Sequence, residues 1–219
     1  METPNFSCFL VIIAVGILCF SWRASSNGHD DFLKCLSLQY SNNYTSISNV
    51  VYSPKNSSYF SVLQSSIRNL RFASPTTPRP QFIVTPVHES EIQSVVYCAK
   101  QSDLQIRTIS GGHDYEGISH ASEIPFVTID LINMSQITVD VEKRSAWVQA
   151  GATIGQLYYR IAEKSRNLGF PAGVVPTVGV GGHFSGGGHG YMTRKYGIAA
   201  DNIIDAHLVD VNGRILDRF

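Results

Sequence analysis

Seven glycines fall between Gly179 and Gly190, in the run Pro176-Thr177-Val178-Gly179-Val180-Gly181-Gly182-His183-Phe184-Ser185-Gly186-Gly187-Gly188-His189-Gly190. A flexible linker would carry glycine at this density, but linkers lack interleaved Val, Phe and His and are not bounded by packed segments. Glycine lets a backbone lie directly against another surface, so the run reads as a surface laid on a flat cofactor. It is not a dinucleotide fingerprint, because Phe184 and Tyr191 fall where the last glycine of G-x-G-x-x-G should stand. Nor is it a P-loop, since no Gly-Lys-Ser/Thr follows.

A second glycine loop, Ser110-Gly111-Gly112-His113-Asp114-Tyr115-Glu116-Gly117, directly follows the apolar segment Leu104–Ile109. Its glycines allow close approach and can turn N–H groups toward phosphate oxygens. A plain tight turn with a surface histidine fits the residues equally well. His113, His183 and His189 suggest a metal, but no carboxylate or cysteine stands at a recognised spacing to complete a site, so none is expected. Two glycine loops suit a long, extended cofactor better than a single phosphate.

Around these loops strands and helices mix. Strands are expected over 81–85, 104–109, 126–132, 136–140 and 146–150. Glu89–Gln101 reads as a helix with Ile92, Val95, Val96 and Ala99 on one face. Thr153–Lys164 reads as another, with Ile154, Leu157, Tyr158, Ile161 and Ala162 on one face and Thr153 and Gln156 as a capping box. Asn212-Gly213 marks a hairpin between 205–211 and 214–217. The order predicts an α+β chain of two lobes, about 78–150 and 151–219, entered through the Pro-rich stretch 74–80 from an N-terminal segment, 26–77, that reads as a short helical prelude and a polar connection. A formal net charge of zero without basic runs gives no support for a nucleic-acid partner.

Phe9–Phe20 is an uninterrupted apolar run followed by small residues. At about a dozen residues it falls short of the roughly 20 that a spanning helix needs, and it predicts a signal peptide over 1–25, although no Lys or Arg precedes it. The mature chain is then expected to be secreted, with no membrane partner. Cys8 and Cys19 leave with the signal; Cys35 and Cys98 remain, as a disulfide or as two buried thiols, and an oxidising compartment favours the disulfide. Sequons stand at Asn43, Asn56 and Asn133. The first two lie in polar, Ser-rich sequence and are expected to carry glycans; Asn133 follows an apolar strand and is expected to be too buried.

The SGGHDYEG block at 110–117, the PTVGVGGHFSGGG block at 176–188 and the YGIAADNI block at 196–203 together resemble the plant berberine bridge enzyme-like family. That family belongs to the wider flavoprotein group with the vanillyl-alcohol-oxidase/p-cresol-methylhydroxylase fold. FLKCLS at 32–37 and VVYCAK at 95–100 match as well, and the family joins their two cysteines. The resemblance implies a two-lobed FAD-binding domain with FAD between the lobes. It implies contacts from Ser110, Gly111, Gly112, Asp114 and Gly117 in one loop, from Val175, Thr177, Val178, Gly179, Gly181, Gly182, His183 and Gly186 in the other, and a covalent bond from His113 to the flavin. Members oxidise a C–H bond of a small molecule, pass hydride to flavin N5 and usually return the electrons to oxygen. Their substrates range from alkaloids and cannabinoid precursors to sugars and monolignols. A monomer is expected.

The chain departs from the family pattern in four ways. Most members carry a second covalent link from a cysteine before the Pro-Thr; this chain has Val175, which cannot form a thioether. The family tyrosine at the end of the second stretch is His189, the expected catalytic residue, whose imidazole differs in reach and pKa. Many members have a basic residue where this chain has Ile109. Members are also considerably longer, so the domain is expected to be truncated after Phe219, and the alternative to an oxidoreductase is an inactive remnant that at most binds FAD. Val178 matches a position that gates oxygen access, and valine there goes with oxidase behaviour.

Overall fold

The computed structural model describes residues 27–40 and 47–218. The expected signal peptide and Asn43 lie outside the described residues. Helix α1 (Asn27–Tyr40) leads to a two-residue strand β1 (Val51–Tyr52) and helix α2 (Tyr59–Ser66). Strand β2 (Phe82–Val84), helix α3 (Glu89–Gln101), β3 (Gln105–Ile109) and β4 (Phe126–Asp130) follow. They form one four-stranded sheet in the order β1-β2-β4-β3. β2, β4 and β3 run parallel, and β1 adds antiparallel at the edge.

β4 lies between two parallel partners and is buried along its whole length, which explains why its sequence, Phe-Val-Thr-Ile-Asp, does not alternate. α3 packs Ile92, Val95 and Ala99 into the core it shares with the sheet, as its periodicity predicts, and Val96 is buried as well. The side chain of Glu91 reaches back to accept from the N–H groups of Val87 (2.6 Å) and His88 (3.2 Å), which satisfies donors at the helix start. α1 packs on α3, where Cys35 and Cys98 form a disulfide with Cα atoms 5.7 Å apart. Phe32 and Phe82 meet in the same core, with ring centroids 4.6 Å apart. β1 was not predicted: two residues are too few to show a period, and the strand exists because Val51 and Tyr52 pair with Val84 and Ile83.

The second core gathers on helix α4 (Ile154–Lys164), through Ile154, Leu157 and Ile161. Its capping box is present: the Thr153 hydroxyl accepts from Gln156 N–H (3.3 Å), and the Gln156 side chain accepts from Thr153 N–H (2.8 Å). Ala162, expected on the buried face, is exposed. The hairpin β5 (Ile137–Asp140) and β6 (Ser145–Val148) packs here through Ile137, Val139 and Val148. The two cores therefore divide between Met134 and Ile137. The polar alternation of the hairpin says that one face is buried but not against which neighbour. Asn133, expected buried, is exposed, and its amide donates to the Thr85 carbonyl (3.0 Å). Asn56 is exposed.

The last hairpin is shorter than expected, with only Leu208–Val209 (β7) and Ile215–Leu216 (β8) pairing. Asp210 organises its turn, accepting from Asn212 and Arg214 N–H groups, and the Gln93 amide on α3 donates to the Gly213 carbonyl. No helix among the described residues is long and apolar enough to cross a membrane.

Candidate cofactor site

The two glycine loops meet. Ser110 closes β3, and its hydroxyl donates to the Ala150 carbonyl (2.5 Å) while accepting from Gly181 N–H (3.3 Å). Gly111 packs on Gly179 backbone to backbone, so closely that a Cβ on either would overlap the other's backbone. That contact is where glycine is required for space rather than flexibility. Gly112 has φ +72° and sits against the Ser66 carbonyl. Its position therefore excludes side chains both sterically and by backbone conformation.

His113 stands across this seam, its Nε2 2.9 Å from the Thr177 hydroxyl. Burial and the positive charge of Arg68 both lower its pKa, against a smaller opposing effect from Thr177, so the imidazole is held neutral. Asp114 turns back to accept from Glu116 and Ser119 N–H groups, and those bonds pull its carboxyl below the usual range against the burial that would raise it. Asp114 is thus a loop brace, with both carboxylate oxygens used inside the loop. Gly117, φ +72°, lies against the ring of Phe72.

In the second loop, the glycine run reads in the sequence as a backbone surface laid on a flat cofactor, with no helix expected within it. Instead Val180–Ser185 forms a short helix, α5, whose start is set by Val180 N–H bonding the Ala152 carbonyl (2.8 Å) and Gly181 N–H reaching the Ala150 carbonyl (3.3 Å). Thr177 and Val175 are exposed, and Val178 and Gly186 flank the helix. A Cβ on Gly182 would meet nothing within 4 Å, which leaves that backbone open to a ligand. His183 turns inward: its Nε2 accepts from Gly173 N–H (2.9 Å), and burial lowers its pKa. His189 is exposed.

Three neighbours escaped sequence reasoning. Arg68, beyond the end of α2, donates through Nε to the Gly111 carbonyl (3.3 Å). His120, 2% exposed, lies with Nε2 3.3 Å from the Gly112 carbonyl. Asp130, also 2% exposed, ends β4 beside Ile109, and burial raises its pKa to about 6. Only the charge-poor, apolar character of the strand ending in Asp130 hinted at a buried carboxyl. Among the described residues no cluster of His, Cys, Asp or Glu could hold a metal ion.

The donor set suits an extended, anionic, planar ligand. The N–H groups of Gly111, Gly112, His113 and Asp114 donate to no described residue, and Gly182 is open. Successive unpaired N–H groups are an anion-binding feature.

A family model described as an FAD binding domain matches residues 80–218. The chain is 53% identical over 217 residues to berberine bridge enzyme-like 18 of Arabidopsis thaliana, covering 97% of this chain and 41% of that protein. It is 56% identical over 218 residues to tetrahydroberberine oxidase of Berberis wilsoniae, covering 100% of this chain and 40% of that protein. Among solved structures it superposes on berberine bridge enzyme from Eschscholzia californica with TM-score 0.78 at 45% identity, over 86% of this chain and 37% of that one. A glucose oxidase variant of the Phl p 4 allergen gives TM-score 0.81 at 48% identity, over 86% and 38%. Fold and loops thus define an FAD-binding domain of the p-cresol-methylhydroxylase type. The chain belongs to the plant berberine bridge enzyme-like family of FAD-linked oxidases. It spans about 40% of the length of the curated relatives it matches.

Proposed function

We propose that this chain forms the flavin-binding part of a secreted FAD-dependent oxidoreductase in which His113 carries the cofactor covalently. The observation that carries the reading is the placement of a neutral His113 at the seam of two glycine loops, opposite Thr177. If Nε2–H donates to the Thr177 hydroxyl, the lone pair of Nδ1 is left for bond formation. Val175 offers no second link, so attachment rests on His113 alone.

When bound, FAD supplies a two-electron acceptor that takes hydride at N5 from an organic substrate and passes electrons on to oxygen. The residues of this chain then bind and orient. Gly111, Gly112, His113 and Asp114 offer N–H groups to the anionic part of the cofactor, Ser110 ties the two lobes at the seam, and Gly179, Gly181, Gly182 and Gly186 let backbone lie along it. His183 braces the second loop through Gly173. His189, exposed beyond the glycine stretch, is available to hold or release a proton at the substrate. Val178 beside the seam is consistent with oxygen access. The relatives' names point to a small organic substrate, an alkaloid, a cannabinoid precursor or a sugar.

A second reading, FAD binding without turnover, draws on Val175 and on the exposure of His189 among the described residues. The test is in-gel flavin fluorescence of the denatured chain beside His113→Ala. A fluorescent band lost in the variant supports covalent FAD on His113; no band and no flavin released from the parent refutes flavin binding. Substrate turnover by a flavin-loaded chain separates the two readings.

A further inference from the structure

The cofactor loop is held from behind by two side chains that no motif identifies. Arg68 Nε donates to the Gly111 carbonyl, and His120 Nε2 lies at hydrogen-bond distance from the Gly112 carbonyl, each at 3.3 Å. A carbonyl can only accept, so a bonded His120 carries its proton on Nε2. Its Nδ1 is buried and has no partner among the described residues, so protonating it would place an unpaired donor in the interior. Burial lowers the His120 pKa accordingly, with Gly112 and Asp114 opposing.

In a trans peptide the carbonyl of one residue and the N–H of the next point in opposite directions within one plane. Fixing the Gly111 carbonyl toward Arg68 therefore turns Gly112 N–H away from it. Fixing the Gly112 carbonyl toward His120 does the same for His113 N–H. Neither N–H has an acceptor among the described residues. We propose that His120, with Arg68 beside it, is a positioning residue that clamps the loop carbonyls so that Gly112 and His113 present their N–H groups to the diphosphate of FAD and His113 is held in register with Thr177. The ligand in this assignment rests on the FAD reading above.

His120→Phe keeps a ring of similar size without the donor, and His120→Gln restores a donor near the Nε2 position. Two measurements separate the clamp from the FAD reading. In flavin-free protein, backbone 15N order parameters at Gly112 and His113 are expected to fall from about 0.85 to below about 0.6 in His120→Phe and to recover in His120→Gln. In a His113→Ala background, which removes any covalent link, the FAD dissociation constant by fluorescence quenching is expected to rise about tenfold in His120→Phe and to recover in His120→Gln, with Arg68→Met and Arg68→Lys following the same pattern. Order parameters unchanged by His120→Phe overturn the clamp, whatever the flavin result. An ordered-to-mobile change rescued by Gln, with no FAD bound even by the parent, overturns the FAD reading and the diphosphate assignment with it.

Discussion

Replacing Asp130 with Asn is expected to stabilise the protein at neutral and alkaline pH. Asp130 is 2% exposed, and burial raises its pKa from 3.8 to about 6, opposed by the Ile132 N–H, by the Ser66 hydroxyl and by the charge of Arg68. The native carboxyl thus binds its proton more tightly than the unfolded one. Below 3.8 both states are protonated and the group costs nothing. Between 3.8 and 6 the unfolded state loses its proton first, so stability falls as pH rises, and above 6 the full cost is present. At about 1.4 kcal/mol for each unit of pKa difference, the cost at pH 8 is about 3 kcal/mol. Asn keeps an oxygen for Ile132 N–H (3.1 Å in the parent) and carries no charge. The expected gain is about 1–3 kcal/mol at pH 8, shrinking toward zero by pH 3.5. Urea unfolding at both pH values, with unchanged m, measures it. A variant less stable than the parent by the same amount at both pH values would refute the reasoning, because a favourable partner rather than burial would then govern the carboxyl.

Other residues offer sharper or simpler checks. Changing both Cys35 and Cys98 to Ser opens a link across 63 residues and is expected to cost about 2–4 kcal/mol in chemical denaturation. His183→Leu strands Gly173 N–H and is expected to cost about 1–3 kcal/mol near pH 7.5. Because the native pKa of His183 lies below 6.5, its neutral form contributes stability above about pH 6.5 that is lost as pH falls through the native value; a flatter acid limb in the variant's stability profile checks this. Gly111→Ala must force the loops apart at Gly179 and is expected to lower the melting temperature by several degrees, whereas Gly182→Ala, on an open helical position, leaves it unchanged or raises it slightly.

The glycine loops, α3 and the Thr153–Gln156 cap were legible in the sequence because each is governed by interactions over a few residues: backbone freedom, helical period, a side chain folding onto its own turn. The family match extended that reading to FAD, because several blocks occur in one order. The disulfide needed only two cysteines and an oxidising compartment to be anticipated. Tertiary structure alone decided the rest. β1 is a strand only because β2 offers an edge, and the 137–148 hairpin joined the second core because α4 supplied its apolar cover. His183, indistinguishable in sequence from a cofactor ligand, turned inward to a backbone donor ten residues earlier. Arg68 lies 43 residues from the carbonyl it holds, and His120 looked like an ordinary loop residue. A polar side chain's partner is set by which backbone groups folding leaves unpaired nearby, and that depends on contacts between distant segments, which local spacing does not encode.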